Sequence, residues 1–131
     1  MGALPPKEDM VLIDTSVWID FFHGEQSAES LPELLLEKRV RCHPWVLGEL
    51  MLGSLGAERK KTLEDIGTLP QLQEYEIHDL KKFVEEERLY GKGISLVDLQ
   101  LLYAALSNNC LLWTHDRQLY DTAKRFGIAT G

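Results

Sequence analysis

The sequence predicts an α/β domain in which a parallel sheet is covered by helices on both faces. Three observations predict it. Short apolar runs such as Met10-Val11-Leu12-Ile13 and Cys110-Leu111-Leu112-Trp113 show no polar alternation, which suits strands buried on both sides. Stretches with helical periodicity separate these runs, and parallel neighbours need such crossover connections. Finally, Leu96 to Ser107 is apolar nearly all round, as a deeply buried helix must be.

Residues 1–9 read as a mobile tail, and a single domain occupies 10–131. Met10 to Asp14 is the first strand. The turn at Asp14-Thr15-Ser16 opens a helix to about His23, which Gly24 ends. Ser30 and Glu33 have the spacing of a capping box, with Pro32 in the first turn of a helix that runs to Lys38 and turns Leu31, Leu34 and Leu35 to one face. Val40 to His43 is a second strand. Pro44 starts a helix with the apolar stripe Val46, Leu47, Leu50 and Met51, loosened at its end by Gly53 and Gly56. Residues 57–66 read as a polar helix and Leu72 to Ile77 as a strand. His78 to Tyr90 is an amphipathic helix, with Leu80, Phe83 and Val84 inward and Glu85, Glu86 and Arg88 outward. The Gly91-Lys92-Gly93 turn leads to the apolar helix. Cys110 to Thr114 is then a strand, Arg117 to Phe126 a helix closed by Gly127, and Ile128 to Thr130 a terminal strand.

A chain of 131 residues suits one domain, which at this size buries roughly two thirds of the surface its unfolded chain exposes. The 44% hydrophobic and 27% charged content excludes disorder and fibrous structure. Cys42 and Cys110 form no closely spaced framework, so a reduced, cytoplasmic pair is expected. The leader lacks the apolar core of a signal peptide, and no stretch has the length of a membrane span. The net charge of −7 excludes a broad basic surface that coats nucleic acid, but not a nuclease.

Much of that acidity can belong to one site. Asp14 ends an apolar run, Glu49 lies in Val46-Leu47-Gly48-Glu49-Leu50, Asp98 interrupts Ile94-Ser95-Leu96-Val97-Asp98-Leu99, and Asp116 follows Leu111-Leu112-Trp113-Thr114-His115. Carboxylates gathered away from water repel one another and call for a cation. Ligands of a parallel sheet bind outside the carboxyl ends of its strands, where Asp14 and Asp116 emerge. Each acid taken alone has a structural reading too. Asp14 and Asp116 can cap the helices that follow them, Ser95 and Asp98 have S-x-x-D capping spacing, and Glu49 can be simply solvated.

The four segments Leu12-Ile13-Asp14-Thr15-Ser16-Val17-Trp18, Val46-Leu47-Gly48-Glu49-Leu50, Gly93-Ile94-Ser95-Leu96-Val97-Asp98-Leu99 and Trp113-Thr114-His115-Asp116 resemble, in order and spacing over residues 10–130, the acidic motifs of PIN-domain ribonucleases. The likeness is to the VapC-like toxins of bacterial toxin–antitoxin pairs. It implies a three-layer α/β/α domain with a central mainly parallel sheet, and an Mg²⁺- or Mn²⁺-dependent endoribonuclease. Asp14, Asp98 and Asp116 would hold metal, Glu49 would position metal or water, and the Ser16 and Thr114 hydroxyls would support the acids. A small antitoxin is implied as partner, with a helix in an apolar groove and a basic residue near the acids. Homodimerisation is implied as well. One departure stands out: many members carry a further Asp and an aromatic residue where this chain has Gln118 and Leu119.

Arg59, Lys60, Lys61, Lys92, Arg117, Lys124 and Arg125 are candidate phosphate contacts, with Arg117 favoured because it adjoins Asp116. Trp18 and Trp45 suit either base stacking or the core, and His115 suits either a phosphate contact or a solvated strand end. The histidines and cysteines lack zinc-ligand spacing, and no phosphate-binding G-x-x-x-x-G-K-[ST] loop or G-x-S-x-G elbow occurs. Two other readings remain: a non-catalytic PIN-like module that binds RNA or protein, and a receiver-like signalling domain, which would want a lysine after the last strand.

Overall fold

The computed structural model describes residues 9–131, so the tail expected at 1–9 lies, Asp9 apart, outside the described residues. Strand β1 (Val11–Ile13) is buried at every position, as its unbroken apolar run requires. It pairs in parallel with β2 (Val40–Arg41) on one side and β3 (Leu111–Trp113) on the other. Beyond β3 lies β4 (Ala129–Thr130), also parallel, so the sheet order is β2-β1-β3-β4. The register sets Leu12 beside Leu112 and Ile13 beside Trp113, which brings the carboxyl ends of the two central strands side by side.

Seven α-helices provide the crossovers among the described residues: α1 (Thr15–Phe22), α2 (Leu31–Leu36), α3 (Pro44–Met51), α4 (Arg59–Gly67), α5 (Ile77–Glu87), α6 (Leu96–Ser107) and α7 (Arg117–Arg125). They form two groups. α1 packs on α3 and α3 on α4, while α5 and α7 both pack on α6, which crosses β1 and β3. The result is the expected three-layer α/β/α arrangement. The apolar helix is the central piece of its layer, with Leu99, Leu101, Leu102, Ala104 and Ala105 all buried. Burying a leucine side chain contributes about 1.5–3 kcal/mol, so these positions anchor the layer.

Several expectations need correction. No strand forms over 72–77: an isolated parallel bridge between Cys42 and Gln71 falls just before this segment, and Ile77 already opens α5. Gln100 explains the interruption. Its side chain, 1% exposed, accepts from the Tyr75 N–H at 3.0 Å and donates to the Tyr75 carbonyl at 2.6 Å, taking the backbone groups that a ladder would use. The capping box expected at Ser30 is also absent. Ser30 has helical dihedrals (φ −87, ψ −4) and no side-chain cap bond, because the 3₁₀ turn Gln26–Ala28 feeds almost directly into α2. That helix stops at Leu36 rather than Lys38, which turns left-handed with φ 58. α5 stops at Glu87 rather than Tyr90, with Arg88 left-handed at φ 54.

His43 ends the second strand early by capping α3. Its Nδ1 accepts from the Trp45 N–H at 3.0 Å, and its Nε2 lies 3.1 Å from the Gln73 carbonyl, so both ring nitrogens are satisfied although the residue is fully buried. Cys42 and Cys110 are free, buried thiols, and burial pushes both thiol pKa values up. Among the described residues no helix is long and apolar enough to cross a membrane.

Candidate active site

Because β1 and β3 are neighbours, the chain leaves the sheet at Asp14 and at Thr114 side by side. Asp14 is extended and caps α1, with Oδ1 accepting from the Thr15 N–H at 2.8 Å. Its Oδ2 accepts from two hydroxyls, Ser16 Oγ at 2.8 Å and Thr114 Oγ1 at 2.6 Å. These hydroxyls are themselves acceptors: the His115 N–H donates to Ser16 Oγ at 2.9 Å and the Asp116 N–H to Thr114 Oγ1 at 3.0 Å. The two strand ends are thus laced together through one buried carboxylate. Ser16 and Thr114 both touch the acid that they were expected to support.

Asp116 caps α7 through Oδ1, which accepts from the Leu119 N–H at 2.9 Å, and is otherwise exposed. Asp98 forms a reciprocal capping box with Ser95, at 3.1 Å to the hydroxyl and 3.0 Å from the Ser95 N–H. Glu49 projects from α3, exposed, and accepts from Thr15 Oγ1 at 2.5 Å. All three aspartates therefore serve as caps. The capping alternatives are real, and they do not compete with a common site.

The four carboxylates line one cleft of about 390 Å³, together with Thr15, Ser16, Gly93 and Ser95. Partial burial pushes the Asp98 carboxyl above its ordinary range; the Asp14 and Asp116 carboxylates push it the same way, against the hydrogen bonds from Ser95. Among the described residues no three carboxylates, imidazoles or thiols come close enough to hold one ion between them. The donor set is nonetheless all oxygen and crowded enough to feel its own repulsion. An all-oxygen donor set suits a hard divalent cation such as Mg²⁺, which keeps several waters and takes only one or two carboxylates directly.

Other expected residues fall elsewhere. Arg117 does not line the cleft; its exposed guanidinium pairs with Asp121 at 3.4 Å, one turn along α7. Trp18, 2% exposed, belongs to the core, and Trp45 is half-buried, edge-on to His43. His115 is tied through Nδ1 to Asp20 Oδ2. Sequence reasoning did not single out Asp20 or Thr15. Their signals were local: Thr15 adjoins Asp14, and Asp20 stands four residues after Ser16, so that Ser16 and Asp20 reach His115 from one face of α1.

Acids gathered where the central strands of such a sheet end are the arrangement expected of a PIN domain, and residues 11–125 match the family model described as PIN domain. The chain belongs to the PIN-domain family. It is 36% identical over 121 residues to Ribonuclease VapC32 of Mycobacterium tuberculosis, in strains CDC 1551 / Oshkosh and ATCC 25618 / H37Rv, an alignment covering 92% of this chain and 95% of that protein. Among solved structures it resembles FitAcB from Neisseria gonorrhoeae, with a TM-score of 0.65 and 22% identity over 88% of this chain and 94% of that one. It also resembles VapBC2 from Rickettsia felis bound to a DNA fragment from their promoter, with a TM-score of 0.60 and 20% identity over 86% and 92% of the two chains. At these identities the structural likeness bears on the fold.

Proposed function

We propose that this chain is a metal-dependent endoribonuclease that hydrolyses RNA phosphodiester bonds, acting as the toxin of a toxin–antitoxin pair. Likeness to a named ribonuclease along nearly the whole chain supports the reaction class. The observation that carries the mechanism is the shared cleft of Asp14, Glu49, Asp98 and Asp116, in which the Asp98 pKa is raised first by burial and then by the Asp14 and Asp116 carboxylates. Asp14, Asp98 and Asp116 would hold Mg²⁺ or Mn²⁺ directly or through water, and Glu49 would orient a water or the metal's shell. A bound ion supplies an activated water and neutralises charge on the phosphate.

The chain's own residues do the rest. Ser16, Thr114 and the Thr15 N–H fix the Asp14 carboxylate in one orientation, and the Ser95 box fixes Asp98. Preorganised ligands of this kind spare the site a reorganisation during reaction. Purified protein incubated with total RNA should cut it with Mg²⁺ or Mn²⁺ and not with excess chelator. Cutting that persists at full rate under chelation would remove the metal from the mechanism.

A small antitoxin is the proposed partner. Trp18, Phe21, Phe22, Leu35, Ile66 and Leu69 line an apolar groove of about 340 Å³ among α1, α2 and α4, and the buried Trp18 Nε1 has no acceptor among the described residues. A partner helix with an acceptor at that depth would satisfy it. Exposed Leu36 and Leu52 leave further apolar surface for a homodimer. Co-purification with a small partner that silences cleavage is the expected result, and a partner that leaves cleavage unaffected would count against this role. The non-catalytic alternative rests on one fact, that each aspartate is accounted for as a cap; Asp-to-Asn variants that keep full function would favour it.

A further inference from the structure

The acidic cleft does not close at Gly93. Gly93 and Ser95 also line an adjoining cavity of about 260 Å³, and Lys92 carries that cavity into a third of about 460 Å³ along the face of α7 that bears Gln118, Asp121 and Arg125. The segment between α5 and α6 is held on this path by its backbone. Arg88, Gly91 and Gly93 are all left-handed, with φ 54, 70 and 78. Gly93 sits at φ 78, where glycine is favoured, and a Cβ there would press on Gln118 Cγ at 3.1 Å, so the segment lies close against α7.

The charges along this path do not cancel. In the third cavity Arg125 pairs with Glu87 at 3.3 Å, and Asp121 is taken by Arg117 at 3.4 Å. Gln118 adds no charge. Arg88 and Lys92 remain, both exposed and without an ion-pair partner among the described residues. In a chain of net charge −7, two uncommitted cations along a path that leads from an acidic cleft run against the background. No Lys or Arg lines the cleft itself, so a polyanion reacting there must find its counter-charges outside it. Lys92 adjoins a cleft residue in sequence.

We propose that Arg88 and Lys92 hold backbone phosphates of the RNA strand next to the phosphate being cut, forming a sequence-independent track that leaves the acidic cleft past Gly93. This deepens the ribonuclease reading and rests on it. Contacts of this kind position the strand without reading its bases, and they make affinity depend on salt.

The test measures binding of fluorescein-labelled oligouridylate by anisotropy across a salt series, for wild type, Arg88→Gln, Lys92→Gln and the double variant. Each phosphate contact on a single strand contributes a slope of about 0.7 in log K against log salt, so the double variant should lose about 1.4. Its Kd at low salt should rise about tenfold, and Lys92→Arg should restore the slope that Lys92→Gln loses. A role confined to folding would lower the melting temperature and leave the slope alone. Oligouridylate that fails to bind wild type, or that binds the double variant with an unaltered slope and Kd, overturns the track. Cleavage of total RNA by wild type with Mg²⁺ is scored alongside: its absence sinks the ribonuclease reading, whereas cleavage with an unaltered slope sinks the track alone.

Discussion

Thr114 Oγ1 donates to Asp14 Oδ2 at 2.6 Å across one hundred residues of chain, and the same oxygen accepts from the Asp116 N–H at 3.0 Å. One buried hydroxyl therefore sets the distance between two of the four acids. Thr114→Val keeps the shape and removes both bonds. Leaving such polar groups unpaired costs about 1–3 kcal/mol, so the melting temperature should fall and cleavage should fall with it. Thr114→Ser should recover most of both. A valine variant with wild-type activity would mean that this link does not position the site.

Asp98→Asn separates catalysis from folding. Cleavage should drop by orders of magnitude while circular dichroism stays unchanged. Stability should move the other way, because the folded pKa of Asp98 is raised by burial first and then by Asp14 and Asp116. A raised pKa gives stability that is whole below the ordinary value of 3.8 and lost as pH rises through the folded value. At neutral pH without metal, wild type has lost it and the asparagine variant has nothing to lose. Thermal melts in chelator should show the variant higher at pH 7, with the gap narrowing on acidification. Full cleavage by this variant would end the proposed role of the acids.

The parts of this site that were legible in the sequence are the ones local pattern controls. A buried parallel strand must be apolar throughout, so the acid that ends it stands out; this located Asp14 and Asp116, and the apolar surroundings located Asp98. Side-chain bonds between distant segments leave no such trace. In the sequence Gln100 is just a polar residue within an apolar helix, yet it clamps Tyr75 across 25 residues and so abolishes the strand expected at 72–77. Thr15 meets Glu49 across 34 residues and His115 meets Asp20 across 95, distances that packing alone decides. The Ser30 box failed for a related reason: its spacing is right, but a preceding 3₁₀ turn had already placed Ser30 in helical conformation.

His43 should make stability fall in mild acid. Burial pushes its pKa below the ordinary 6.5, more than the Gln73 carbonyl and Glu74 push it up. For a depressed pKa the stability is present above 6.5 and is lost as pH falls from there through the folded value. Protonation also removes the Nδ1 acceptor that caps α3 through the Trp45 N–H. His43→Asn keeps a good capping side chain and removes the titration. Its melting temperature should change less with pH below 6.5 than that of wild type; equal slopes in the two proteins would show that His43 does not titrate against folding.

Divalent ions should stabilise the fold through the acids. Four carboxylates in a cleft of about 390 Å³ oppose folding through their burial and their repulsion, and the Asp98 pKa is raised by burial first and then by Asp14 and Asp116. An ion that binds only the folded state stabilises it by mass action, by about 2.7 kcal/mol at a hundredfold excess over its dissociation constant. The melting temperature should rise with Mg²⁺ or Mn²⁺ more than with Na⁺ at matched ionic strength. Asp14→Asn and Asp116→Asn will each start from a different baseline, because each alters a cap, so the quantity to compare is the increment with added ion. That increment should shrink in both variants, and an increment equal to that of wild type in both would show that these carboxylates share no metal.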